Sequence, residues 1–108
     1  MLIAVDIDGT LCHPIWPGDY AEAIPHPYTI ENINQLYDAG HEILIYTARM
    51  LADRDVTIKW LHKYGVKYHH IQFCKCRADL YIDSDSVTPD RLKEVMDGIQ
   101  SDTTIIRA

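Results

Sequence analysis

Asp6 and Asp8 stand two residues apart at the end of an apolar run, and Gly9 and Thr10 follow them. Side chains alternate along a strand, so both acids start from one face. Two carboxylates held close repel, so one keeps a proton or a cation lies between them. These residues alone therefore point to a metal or phosphate site. An Asp-Gly turn would account for Gly9 and Asp8. It does not account for an acid at Asp6, directly after Ile3-Ala4-Val5. Further along, Thr47, Arg49, Lys75 and the stretch Asp83-Ser84-Asp85 carry groups of matching chemistry. Singly, each has a plainer use: a strand-end hydroxyl at Thr47, a solvated arginine opening a loop, a surface lysine, and a polar turn with an N-cap at 83–85. Jointly they weigh more. Thr47 and Asp83 also end apolar runs, and in a parallel sheet all such ends lie along the edge where open α/β sheets bind ligands.

The elements that must position these groups read as alternating strands and helices. A first strand runs into Asp6, β-branched and apolar as in a central parallel strand covered on both faces. Residues 28–39 carry Ile30, Ile33, Leu36 and Tyr37 on one helical face, with Thr29 able to cap the start and Gly40 to close the end. Residues 42–46 form a second strand ending at Thr47. Strand, helix and strand in this order make a parallel βαβ unit. A second helix spans 53–64, with Val56, Trp60, Leu61 and Tyr64 inward and Gly65 as its stop. Residues 68–73 make a third, weaker strand; His69 and His70 point to opposite faces there, as at a strand edge rather than in a ligand pair. A short strand at 80–82 leads into Asp83. The last helix is capped by Thr88, has Pro89 in first position and presents Leu92, Val95, Met96 and Ile99 as its stripe. Residues 103–106 are an edge strand or a tail. Residues 10–27 hold Pro14, Pro17, Gly18, Pro25 and Pro27 and are expected to be an irregular loop, its aromatics either packed on the core or contacting substrate.

The chain has 108 residues, 47% apolar and 24% charged, with a formal charge of −6. That is the size of one domain, 1–108. No apolar run reaches the roughly 20 residues that cross a membrane, and the N-terminus lacks the pattern of a signal peptide. Three cysteines, with Cys74 and Cys76 too close for an easy bridge, fit a reduced, cytoplasmic setting. The acidic balance disfavours broad nucleic-acid binding, which needs clustered Lys and Arg, without excluding a small phosphate pocket.

The stretch Asp6-Ile7-Asp8-Gly9-Thr10-Leu11 resembles the first motif of the haloacid dehalogenase-like phosphatase superfamily. Thr47, Lys75 and Asp83 follow in the order of its later motifs. Ile45-Tyr46-Thr47-Ala48-Arg49 and Ala78-Asp79-Leu80-Tyr81-Ile82-Asp83 resemble small phosphatases beside polysaccharide pathways, and Thr-Ala-Arg also resembles the phosphatase domain of polynucleotide kinase-phosphatases. The resemblance implies a three-layer Rossmann-like core, a central parallel sheet flanked by helices, without a cap domain. It implies Mg²⁺-dependent hydrolysis of a small phosphorylated metabolite, such as a sugar phosphate, through an aspartyl-phosphate. Asp6 would be nucleophile and metal ligand, Asp8 the acid/base and a carbonyl ligand, and Asp83 the third metal ligand. Thr47 and Lys75 would hold phosphate oxygens, and Arg49 a second anionic group or the leaving group.

The chain departs from the family pattern at Ser84, where relatives often have a second acid that Asp85 would replace, and at Cys76, where they often have Pro. A nucleotide or polynucleotide phosphatase is the alternative substrate reading, and a catalytically weak phosphate-binding domain the alternative of another class. A capless site is open, so a homo-oligomer is one way to supply missing walls.

Overall fold

The computed structural model describes residues 1–79 and 91–101. The chain divides into two compact units, Met1–Arg77 and Ala78–Ala108.

The first unit is a parallel α/β sheet of Rossmann-like type. Strand β1 is Leu2–Val5, β2 is Glu42–Tyr46 and β3 is His70–Gln72, in the order β1-β2-β3. Leu2 pairs with Glu42 and Val5 with Ile45; Leu44 pairs with His70 and Tyr46 with Gln72. The middle strand of the described sheet is therefore β2, whose Ile43 and Ile45 are fully buried. Helix α1, Pro27–Asp38, connects β1 to β2, and α2, Arg54–Lys63, connects β2 to β3. Ile30, Ile33 and Leu36 of α1 are buried, as their spacing predicts.

The start of α1 differs from expectation. Its N-cap is His26, without a side-chain cap bond, and Pro27 opens the helix. Proline lacks an N–H to satisfy and presets the helical φ, so the helix begins ahead of Thr29. Gly40 closes it at φ +95, where the amides of Ala39, Gly40 and His41 donate to the carbonyls of Gln35, Tyr37 and Leu36.

On α2, Trp60 and Leu61 are buried as expected, but Thr57 is buried where Val56 was expected to be the inner residue. The third strand is shorter than its sequence suggested. His69 replaces part of it: its amide donates to the Ile43 carbonyl (2.9 Å) and its ring Nδ1 accepts from the Ile43 amide (3.0 Å). His70 pairs with Glu42. Both histidines thus serve the strand edge.

Residues 10–26 are irregular apart from one 3₁₀ turn, Tyr20–Glu22, yet they are firmly tied. The His13 amide donates to Ile24 and the His26 amide to Leu11. Leu11, Cys12, Tyr20 and Ala23 are buried, and the Trp60 indole donates to the Ala23 carbonyl at 2.9 Å.

In the second unit, α3 is Leu92–Ser101. Lys93 pairs with Asp97 at 2.9 Å, one turn apart. The expected strand at 80–82, Asp83, Asp85, the Thr88 cap and the segment 103–106 lie outside the described residues.

Candidate active site

The backbone leaves β1 at Val5 and turns sharply over the next seven residues. Ile7 points inward and is fully buried, so Asp6 and Asp8 on either side of it are half-buried on the opposite side. The Ile7 carbonyl accepts from the amides of Thr10, Leu11 and Cys12. Gly9 sits at φ +81, a conformation that a side chain would strain.

The loops after β2 and β3 are zipped to each other. The Thr47 amide donates to Gln72, the Lys75 amide to Thr47 (2.9 Å) and the Cys74 amide to Arg49 (2.8 Å). Cys74 takes φ +65 to make this closure. A non-glycine residue there costs about 1–2 kcal/mol, which the two flanking hydrogen bonds offset. The closure ties Lys75 to the end of β2, with its ammonium 5.3 Å from the Tyr46 ring centroid.

Arg49 departs most from its sequence reading. It was expected either to meet an anionic group or to be solvated. Its side chain is instead wholly buried. Nε donates to Asp8 Oδ2 at 3.1 Å and Nη2 to Asp8 Oδ1 at 2.7 Å, a two-pronged pair. Nη1 donates to Thr57 Oγ1 at 3.1 Å, and that hydroxyl donates to the Asp53 carbonyl at 2.7 Å. The guanidinium carbon lies 3.8 Å from the centroid of the buried Tyr20 ring. A buried guanidinium needs this number of partners, because an unpaired charge away from water is costly. Among the described residues, no buried side-chain nitrogen or oxygen lacks a hydrogen-bond partner.

Thr47 is likewise fully buried, and its Oγ1 accepts from the Arg49 amide at 3.1 Å. The strand-end use of this hydroxyl is the one the structure displays. Neither Thr47 nor Arg49 has surface from which to meet a ligand arriving from solvent in this conformation.

Sequence reasoning missed Tyr20 and Thr57. Thr57 had a signal: it shares the helical face of Trp60 and Leu61, where a hydroxyl needs a partner. Tyr20 had none beyond being an aromatic in a long loop. Cys12 also reaches this cluster, its thiol 3.7 Å from Asp8 Oδ1 and 3.6 Å from the Ile7 carbonyl. Burial and the negative charge of Asp8 push the Cys12 thiol up to about 11, so it stays a neutral donor.

Asp6 faces different surroundings. Partial burial raises its carboxyl above the usual range, opposed by the Lys75 ammonium and by the Ile7 amide that donates to it. Burial outweighs both. An acid so placed gains from a cation, and oxygen donors of this kind suit Mg²⁺. Asp8 turns both carboxylate oxygens to Arg49. Among the described residues no group of three or more Asp, Glu, His or Cys side chains is placed to hold a metal ion. Asp83, the third ligand of the sequence reading, lies outside them.

The family model of haloacid dehalogenase-like hydrolases matches residues 3–103. The chain belongs to the haloacid dehalogenase-like hydrolase family. A Bacillus cereus protein named "Putative nucleotidase" is 37% identical over 54 residues, which are 50% of this chain and 29% of that protein. The chain thus spans less than a third of that relative. A crystal structure from Vibrio cholerae is similar at TM-score 0.74 and 28% identity, over 84% of this chain and 85% of that one. The D,D-heptose 1,7-bisphosphate phosphatase of B. bronchiseptica, solved with magnesium and phosphate, is similar in fold at TM-score 0.53. Its identity is 21%, over 72% of this chain and 51% of that one. Among the described residues of this hydrolase-family chain, no helix is long and apolar enough to cross a membrane.

Proposed function

We propose that this protein is a Mg²⁺-dependent phosphomonoester hydrolase acting through an aspartyl-phosphate. The observation that carries the reading is the unequal treatment of two neighbouring acids. Asp8 is fixed by a buried arginine, while Asp6 lies half-buried in the field of Lys75.

In the reaction, an Asp6 carboxylate oxygen attacks phosphorus in line and the ester P–O bond breaks. Asp8 gives its proton to the departing alkoxide. Water then attacks the aspartyl-phosphate, Asp8 takes a proton from that water, and inorganic phosphate and free Asp6 result. A carboxyl group has about four lone-pair positions. Arg49 engages one on each oxygen and the Cys12 thiol a second on Oδ1, which leaves the remaining position on Oδ2 for the exchanged proton. Arg49 is thus a positioning residue, held in turn by Tyr20 and Thr57. Lys75 neutralises charge on the transferring phosphoryl group. Thr47 fixes the loop that carries Arg49, and would meet phosphate only if that loop opens. Asp6, the Asp8 carbonyl and Asp83 would hold Mg²⁺, which lowers the repulsion between Asp6 and phosphate.

The substrate is a small phosphorylated metabolite. A sugar phosphate is the first reading, and a nucleotide the second, favoured by the name of the Bacillus cereus relative. The cysteine usage fits a cytoplasmic setting.

The purified protein with Mg²⁺ should hydrolyse p-nitrophenyl phosphate, chelator should stop it, and Asp6→Asn should abolish it while the fold persists. Full turnover in that variant would overturn the assignment.

A further inference from the structure

Lysine is a point charge on a long, flexible stem, and it loses much rotamer freedom when held in one place. The backbone of Lys75 is fixed by the bond from its amide to the Thr47 carbonyl. That bond places the Cα, not the ammonium. A group that does meet the ammonium is the ring of Tyr46, whose centroid lies 5.3 Å from it. An aromatic face carries partial negative charge and attracts a cation at this range, more strongly where water is partly excluded. Tyr46 and Lys75 are both half-buried.

The sheet puts this contact beside the nucleophile. Val5 of β1 pairs in parallel with Ile45 of β2, so Asp6 and Tyr46, the residues that follow, start from one common face. Ile45 and Thr47, on either side of Tyr46, are fully buried on the opposite face. The ring is therefore turned to the side on which Asp6 lies. Tyr46 pairs with Gln72 of β3, and Lys75 stands in the loop that follows. Tyr46 is thus on the strand between the one that ends at Asp6 and the one that leads to Lys75. The Lys75 ammonium reaches Asp6 electrostatically: burial raises the Asp6 carboxyl, and the field of Lys75 is the foremost influence opposing it.

We infer that Tyr46 is a positioning residue, whose ring holds the Lys75 ammonium at the carboxyl end of β2, beside Asp6, before substrate arrives. The inference rests on the phosphatase reading and adds to it a residue that its motifs do not mark. A charge already in place needs no reorganisation when negative charge develops on the transferring phosphoryl group, so its effect is felt in the transition state. Tyr46 touches no reacting atom in this scheme. It acts only through Lys75, and removing Lys75 should remove its effect.

A double-mutant cycle of Tyr46 and Lys75 on p-nitrophenyl phosphate hydrolysis with Mg²⁺ tests this. Tyr46→Leu should lower kcat/KM about fivefold, the size of a partly desolvated cation–π contact. Tyr46→Phe keeps the aromatic face and should recover most of that loss. In a Lys75→Met background, Tyr46→Leu should cost less than about twofold. An equal loss in both backgrounds makes Tyr46 a packing residue and overturns the inference while the phosphatase stands. A Tyr46→Phe protein as slow as Tyr46→Leu overturns it too. If the ester is not hydrolysed by the unaltered protein, the phosphatase reading fails, and proton NMR decides the contact by itself. A ring over the ammonium shifts the Lys75 ε-methylene protons upfield, and these are assigned as the signals that Lys75→Met deletes. The upfield shift should persist in Tyr46→Phe and vanish in Tyr46→Leu. Its absence from the unaltered protein, or its survival in Tyr46→Leu, overturns the inference.

Discussion

Asp6 and Asp8 are separated by one residue, yet their carboxylates live in opposite surroundings. Asp8 has both oxygens gripped by Arg49, and behind Arg49 stand Thr57 and the Tyr20 ring. Asp6 has the Ile7 amide and the field of Lys75, and burial still dominates it. One acid is fixed in place by the two-pronged grip of a buried arginine. The other keeps its bonding capacity in reserve, at a cost to the folded state. A pair of identical side chains can divide two chemical roles in this way, because environment rather than residue type sets behaviour.

The sharpest way to break this contrast is Asp6→Asn. Turnover should fall by on the order of 10³-fold or more, as for loss of a nucleophile. The same change should raise the thermal midpoint of the metal-free protein at neutral pH. The sign follows from linkage. A carboxyl raised above 3.8 by folding binds more protons folded than unfolded, so stability falls as pH rises through the folded value. Above it the penalty is complete, and Asn removes it; near pH 3 the two proteins should converge. Midpoints in chelator across that range would measure this, and a lower midpoint for Asp6→Asn at pH 7 would contradict it.

Arg49→Met attacks the other half. Removing one partner of a buried pair costs about 3–5 kcal/mol, so denaturant unfolding should register a large loss together with weakened activity. Arg49→Lys should restore little, since an ammonium cannot make the two-pronged grip. Rescue by Lys would mean that charge alone matters there.

Lys75→Met should separate the two regions again, lowering kcat/KM by about 10–100-fold with a stability change below about 1 kcal/mol. Equal losses in Arg49→Met and Lys75→Met on both measures would erase the distinction. The smallest effect on turnover belongs to Thr57→Val, which leaves Nη1 of Arg49 without its acceptor and should cost about 1–3 kcal/mol of stability. Its activity loss should track loosened Asp8, appearing in kcat more than in KM.

Much of the frame was legible in the residues. The helix at 28–39 and the strand at 42–46 match α1 and β2 to within a residue or not at all shifted, because their apolar spacing is a local signal. Gly40 and Gly65 stop their helices at φ +95 and +68, as the sequence order suggested. The half-buried pair Asp6 and Asp8 around a buried Ile7 matches the alternation read from the sequence, although β1 itself ends at Val5. Thr29 as a cap failed because Pro27 competes for the same start. The third strand shortened because the His69 ring takes a main-chain partner.

The sequence by itself determined the order of strands and helices, the spacing of the acids and the presence of a lysine after the third strand. These depend on period and on neighbours along the chain. Only the tertiary structure decided that Arg49 is buried, since its partner Asp8 lies 41 residues away and Tyr20 comes from the long loop between. An arginine in a sequence reads as solvated, because burial of that charge is rare without a partner. Whether the partner arrives depends on how two loops close over one sheet edge, and no local pattern encodes that.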